Sequence, residues 1–457
     1  MSLPRYAAYK PSGVEWLGEI PVHWEAKRLK YNSSINDEAL PETTDPGFEL
    51  EYVDIGSVDS IQGITTKEAL LFEDAPSRAR RIVRDGDTIV STVRTYLKAV
   101  APIEKPEDNL IVSTGFAVVR PRKLFPAFLA YCLRSSYFIE TVVSRSTGVS
   151  YPAINPSEIS RIEIPVPTIE EQQTIARFLD AQTAKLDTLV AKKHALIEKL
   201  KEKRSALISR TVTRGLPPDA AQAAGLEPHP AMKDSGVEWL REVPAHWDEN
   251  RLGFLCKKIG SGKTPLGGAE TYVDEGIVFI RSQNVYDDGL ALEDVVYISE
   301  EVDADMRVSR IKSGDILLNV TGASIGRSCI VPDDFPAGNV NQHVCIIRLR
   351  NLAQSHFVSW VMKAPFIKSQ IDAIQSGAAR EGLNFDQISK FAFALPSHTE
   401  QQAIAAYLDR ETAYIDQLIA KVEAALSRLT EYRQALVTAA VTGKIDVRDN
   451  ALQGEAG

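Results

Sequence analysis

Residues 10–24 read KPSGVEWLGEIPVHW, and residues 233–247 read KDSGVEWLREVPAHW. Gly13, Trp16, Pro21 and Trp24 return as Gly236, Trp239, Pro244 and Trp247, each 223 positions later, and these segments hold four of the chain's five tryptophans. A second pair lies further along. PTIEEQQTIARFLD at 167–180 comes back as PSHTEQQAIAAYLD at 396–409, at an offset of 229. Self-similarity at a fixed period marks one structural unit written more than once. Here the frames are alike and the long segments between them are not.

Each downstream frame opens a helix. Neither Glu171–Val212 nor Glu400–Val441 contains Gly or Pro, and 42 residues at about 1.5 Å each make a rod of roughly 63 Å. Leu186, Leu189, Lys193, Leu196, Leu200, Lys203 and Leu207 alternate spacings of three and four. Ile415, Leu418, Val422, Ala425, Leu429, Tyr432 and Leu436 keep the same register. That 3.5-residue period predicts a coiled-coil seam, and the two stripes satisfy each other if the rods pack together. A helical hairpin within one domain is the alternative. Between the first rod and the second frame, residues 215–231 hold four prolines and two glycines, which read as a helix stop and an extended linker.

The centres read as α+β domains. Short β-branched runs bounded by Gly, Asp and Pro predict strands at 87–91, 111–113 and 117–120, and at 276–281, 315–320 and 344–349. Gly86-Asp87 and Gly314-Asp315 precede equivalent strands, so the two centres are expected to share a fold. Polar loops follow these strands. The first centre offers Ser91, Arg94, Tyr96 and Lys98, then Ser150 and Tyr151. The second offers Ser261, Lys263, Thr264, Arg281, Gln283, Asn284, Thr321, Ser324, Arg327, Asn341, Gln342 and His343. Arg can bond two acceptors on guanine, Asn and Gln match adenine, and hydroxyls and amides suit phosphate. As a set these residues are the candidate DNA contacts. Loop and cap duty is the alternative for any one of them. Trp16, Trp24, Trp239 and Trp247 are read as structural anchors, and Glu171, Gln172, Glu400 and Gln401 as helix caps or partner contacts.

Composition narrows the function. A formal charge of −9 over 457 residues argues against coating DNA by bulk attraction, though not against locally concentrated Arg and Lys. Arg5, Lys10, Glu15 and Glu19 leave no apolar signal core near the N-terminus, and no apolar run reaches the roughly 20 residues a membrane helix needs. The four cysteines stand singly, as expected of buried thiols in a reducing, cytoplasmic protein. Gly260-Ser261-Gly262-Lys263-Thr264 has the tail of a P-loop, but Lys257 stands where its first glycine belongs. HExxH and GxGxxG are absent, and the seven histidines lack ligand spacing. Asn155-Pro156-Ser157-Glu158 lacks the second proline and aromatic of an adenine methyltransferase. No catalytic residue, metal site or cofactor is expected in this chain.

SGVEWLGEIPVHW, PTIEEQQTIARFLD and the linker-then-restart order resemble the specificity subunits of type I restriction–modification enzymes, over essentially the whole chain. The resemblance implies an α+β protein in which two pseudo-symmetric target recognition domains are separated by two long helices packed as an antiparallel coiled coil. Its parts would be a frame arm at 1–24, recognition domains at 25–167 and 248–396, spacer helices at 168–214 and 397–444, a linker with repeated arm at 215–247, and a tail at 445–457. It further implies a non-catalytic reader of bipartite double-stranded DNA. Two modification methyltransferase subunits and two restriction (motor–nuclease) subunits would be its partners, and those partners would use S-adenosylmethionine, ATP and Mg2+. The arm from Lys10 to Trp24 would lie beside the C-terminal rod. A coiled-coil scaffold without DNA and a fused enzyme are the readings from other classes.

Overall fold

The computed structural model describes residues 4–59, 61–375 and 382–448, so the ends of the expected arm and tail (1–3 and 449–457) lie outside the described residues. The chain divides into two compact units, 1–194 with 423–457 and 195–422. Each unit therefore takes one half of each long helix, Ile169–Arg214 and His398–Val441.

In the first unit an antiparallel four-stranded sheet runs in the order Val100–Pro102, Thr88–Ser91, Phe116–Pro121, Ser33–Ile35. A second sheet runs Glu68–Leu71, Glu49–Val53, Leu110–Ser113, Ala79–Ile82, and its central pair is parallel. The second unit repeats the plan. Ser328–Ile330, Ile316–Asn319, Val344–Leu349 and Cys256–Ser261 form the antiparallel sheet. Its other sheet centres on Ile277–Ile280, parallel to Gly338–Val340. All six strands expected from sequence are present, and the two centres share a fold.

The strands read as continuous apolar runs because both faces are covered. Val90 belongs to the core that includes the frame and helices, while its neighbour Ile89 faces the second sheet's core. Leu318 and Leu317 divide in the same way. The Gly-Asp marker has a physical cause. Asp87 accepts the Arg84 amide at 2.7 Å and holds Arg120 through two bonds of 2.8 and 2.9 Å. Asp315 does the same with the Lys312 amide at 2.8 Å and with Arg348 at 2.6 and 2.7 Å. Both carboxylates are buried, so each is tolerated only because it is fully paired.

The helices pair within each unit, with one correction to the seam. Leu189, Leu196, Lys203 and Tyr432 are exposed, whereas Val190, Ile197, Arg204 and Arg433 turn inward. The period of 3.5 holds, but alternate positions slip by one residue. Two of the inward positions are arginines, and each finds a carboxylate on the facing helix: Asp187 for Arg433 in the first unit, Asp416 for Arg204 at 3.0 Å in the second. In the second unit Ile208 and Val212 follow Arg204 and share a core with Ile404 and Leu408, which precede Asp416, so the paired segments run antiparallel. The linker also differs from expectation, since Pro218–Ala223 forms a short helix.

The frame closes on the helix ends. In the first unit Leu17, Ile20 and Trp24 share one core with Leu436, Val437, Ala440 and Val441, and Lys444 donates to the Glu19 carbonyl at 2.7 Å. This is the packing of arm beside C-terminal rod that the resemblance implied. Glu171, expected as a helix cap or a partner contact, is instead buried in that frame. It accepts from Tyr6 at 2.8 Å and Trp24 Nε1 at 3.0 Å, and pairs with His23 at 3.0 Å. In the second unit Glu400 pairs with His246 at 3.0 Å, while the buried Trp247 Nε1 has no hydrogen-bond partner among the described residues. Trp24 and Trp247 are thus anchors. Trp16 is not, being 76% exposed, whereas Trp239, 38% exposed, keeps more than half of its surface covered.

Candidate nucleic-acid interface

The polar loops gather at one edge of each unit, and the backbone wiring of that edge is the same twice. In the first unit the residue after the central strand, Thr92, donates its amide to the Gly115 carbonyl at 2.8 Å and accepts the Ile154 amide at 2.8 Å. In the second unit Val320 donates to the His343 carbonyl at 3.0 Å and accepts the Leu383 amide at 2.9 Å. Three loops, far apart in sequence, are thereby tied at one point.

In the first unit this brings together Arg94, Tyr96, Lys98, Ser150 and Tyr151, all exposed. Arg94 and Lys98 flank the one-turn helix Thr95–Leu97 with φ of 50° and 53°, and the Arg94 guanidinium lies 5.4 Å from the Tyr151 ring centre. Left-handed backbone at a residue with a Cβ costs roughly 1–2 kcal/mol, and such strain clusters at functional sites. Beneath the surface Thr95 donates to Ser146 at 2.8 Å, which holds the two loops together. Ser91 is placed differently from the expectation of a contact. It is buried, and its hydroxyl donates to the Val93 carbonyl. The exposed Arg78, whose carbonyl accepts the Thr114 amide at 2.7 Å, joins the edge. Sequence reasoning missed it, because it precedes a strand of the other sheet.

The second unit's edge carries a hydrogen-bonded chain. Thr264 donates to Gln342 Oε1 at 2.6 Å, Gln342 Nε2 meets His343 Nε2 at 3.0 Å, and His343 Nδ1 meets Thr321 Oγ1 at 2.6 Å. An amide nitrogen only donates, so His343 accepts at Nε2 and donates from Nδ1. Thr321 then accepts, and its own hydroxyl proton is left for another acceptor. Gly262 makes the approach possible, since a Cβ there would lie 1.6 Å from the Val340 carbonyl oxygen. Exposed Lys263 and Gln283 complete the outward set, and Asn341 accepts the His343 amide at 3.0 Å. Ser261 bonds to the Gly262 carbonyl at 3.1 Å. Asn284 is buried and spends its amide on the Arg281 amide and the Ala291 carbonyl, while Ser324 accepts from Asn319 at 3.1 Å. Arg281 donates to the Asp294 carbonyl at 2.8 Å, and Arg327 stacks 4.9 Å from the centre of the Tyr286 ring. These last four residues build the loops from within more than they face outward.

Among the described residues no group of His, Cys, Asp or Glu could hold a metal ion, and no helix is long and apolar enough to cross a membrane.

The chain is similar to known proteins. The family model for the type I restriction modification DNA specificity domain matches residues 51–199 and again 244–428. The chain is 23% identical over 446 residues to the putative type I restriction enzyme MjaX specificity subunit of Methanocaldococcus jannaschii, covering 94% of this chain and 96% of that one. It is 24% identical over 314 residues to the type I restriction enzyme EcoBI specificity subunit of Escherichia coli, covering 67% of this chain and 64% of that relative. Among solved structures, a chain from work on complex assembly and conformational transition of the type I R-M system superposes with a TM-score of 0.69 at 22% identity, covering 92% of this chain and 98% of that one. With the domain matched in both of its repeats, over well more than half its length, the chain belongs to the type I restriction–modification DNA specificity family.

Proposed function

We propose that the chain reads a bipartite DNA target, one half-site by each recognition edge, and performs no catalysis itself. The observation that carries this is the edge built twice with the same backbone ties at Thr92 and Val320 and with unlike side chains on them. A common scaffold with different reading groups is what two unequal half-sites require, since base-edge contacts specify and backbone contacts position. The exposed members of each edge are assigned as DNA contacts. Ser91, Asn284, Ser324, Arg281 and Arg327 are assigned to hold the loops.

The recognition domains are placed at 25–167 and 248–396, with 168–214 and 397–444 as spacer helices. The partners are two modification methyltransferase subunits, which bring S-adenosylmethionine, and two restriction subunits, which bring ATP and Mg2+. They would supply much of the phosphate contact that a chain of net charge −9 lacks. The complex works in the cytoplasm.

The test is single-molecule methylation sequencing of the host genome with and without the gene. Loss of one two-part N6-methyladenine motif on deletion is the expected result. An unchanged methylome, in a strain where the chain copurifies with a methyltransferase, overturns the reading.

A further inference from the structure

One side chain on the second unit's edge is held more firmly than the fold requires. Gln342 is exposed, yet both ends of its amide are bonded. Oε1 accepts from Thr264 at 2.6 Å, and Nε2 donates to His343 Nε2 at 3.0 Å. The backbone beneath is fixed as well. The Asn341 amide donates to the carbonyl of buried Ile280 at 3.0 Å, the His343 amide to Asn341 Oδ1 at 3.0 Å, and the Val344 amide to the Asn341 carbonyl at 3.3 Å. Gln342 and His343 are therefore the central residues of a closed turn at the head of the core strand Val344–Leu349.

A glutamine amide has two lone pairs on its oxygen and two N–H groups on its nitrogen. Thr264 takes one lone pair and His343 one N–H, and no other hydrogen bond engages this side chain among the described residues. One lone pair and one N–H are left, on a planar group positioned before anything binds. Turning the amide over exchanges its ends and leaves the same remainder. A phosphate oxygen only accepts, so it would leave the lone pair unused. In the major groove guanine shows two acceptors, cytosine a donor, and thymine an acceptor beside a methyl group. Adenine alone shows a donor and an acceptor side by side, N6–H and N7. A side chain already pinned also has less rotamer freedom to lose on binding.

We propose that Gln342 reads an adenine in the half-site served by the second unit, its oxygen accepting from N6–H and its nitrogen donating to N7. Thr264 and His343 are positioning residues that hold the amide for it. This rests on the proposed function for DNA as the ligand, and adds the base and the side chain that selects it. An adenine bonded in this way stays stacked in the duplex, whereas a base that undergoes chemistry is turned out of it. Gln342 therefore specifies a letter other than the methylated adenine.

Methylation sequencing of a host carrying the complete system tests this, together with fluorescence anisotropy of the assembled complex on duplexes changed at one letter. The wild-type motif should hold an A·T pair that is not itself the methylated position, and replacing that pair should weaken binding roughly 5- to 150-fold. In Gln342→Ala the motif should become degenerate at that letter alone, and the penalty should vanish. Gln342→Glu keeps the oxygen and loses the N–H, so the letter should pass to a C·G pair. His343→Phe and Thr264→Val each release one end of the amide and should relax the same letter and no other, an effect that loss of a merely structural residue would not confine to one position. An unchanged motif in Gln342→Ala, relaxation at a G·C pair, or equal weakening on every sequence overturns the proposal and leaves the proposed function standing. A wild-type chain that copurifies with a methyltransferase and confers no two-part motif overturns both.

Discussion

Arg94→Gly separates a reading group from a structural one. Arg94 sits at φ 50° and ψ 47°, a conformation that costs a residue with a Cβ roughly 1–2 kcal/mol and that glycine adopts freely. The substitution also removes the cation over the Tyr151 ring at 5.4 Å, a contact worth about 0.5–1 kcal/mol at an exposed site. Glycine's extra freedom in the unfolded chain costs a further 0.5–1 kcal/mol or so. These terms oppose one another, so stability should move by no more than about 1 kcal/mol. DNA affinity should move further. A guanidinium bonded to two acceptors on a base is worth about 1–3 kcal/mol, a fall of about 5- to 150-fold. Fluorescence anisotropy of the assembled complex on its own target, at one fixed salt concentration, measures the loss, and urea unfolding measures stability. Base changes confined to one half-site should cease to matter at one position in the variant, while the other half-site is read as before. Arg94→Lys keeps the charge but not the fork, and should lose the discrimination while keeping most of the salt dependence. Unchanged affinity in Arg94→Gly, or equal loss of discrimination at both half-sites, refutes the assignment of this edge.

Three further outcomes are expected. Inserting seven residues into both long helices keeps the 3.5-residue seam and adds about 10 Å of rod, so methylation sequencing should show the unread gap of the target lengthened by about three base pairs at 3.4 Å each with both half-sites kept. Glu171→Ala strands the Tyr6 hydroxyl and Trp24 Nε1 and should cost about 3 kcal/mol in chemical denaturation, against about 1 kcal/mol for Glu400→Ala, whose partner His246 is half exposed. Burial pushes the thiols of Cys132, Cys256, Cys329 and Cys345 up to about 12; a raised pKa keeps the unreactive protonated form across neutral and mildly alkaline pH, so at pH 8 a thiol reagent should titrate all four only after unfolding.

How much of this the sequence discloses depends on the distance over which each feature is decided. The repeat is legible because its residues have local jobs. A glycine at positive φ and a turn serine need only their own frame, and both frames spell them out. Gly-Asp before a strand is legible for the same reason, since Asp87 and Asp315 bond the amide three residues back. The seam is half legible. Spacings of three and of four both fit an apolar stripe, and hydrophobicity alone does not separate Leu189 and Leu196 from Val190 and Ile197. What tips the choice is the facing helix, where Asp187 and Asp416 receive arginines at inward positions. No reading that counts apolar residues would put Arg204 and Arg433 there. The recognition edges are the least legible, because they are decided by contacts across long stretches of chain. Nothing local tells that Gly262 must abut Val340, or that Gln342 bridges Thr264 to His343. Asn284 looks like a reader in sequence and is a brace in space, while Arg78 looks like strand punctuation and stands at the edge. Residue type therefore identifies the loops that read, and only the fold decides which side chains within them face outward. Trp16 carries the same lesson in reverse. In sequence it is indistinguishable from its neighbour Trp24, and only the fold separates the exposed indole from the one that fills the core.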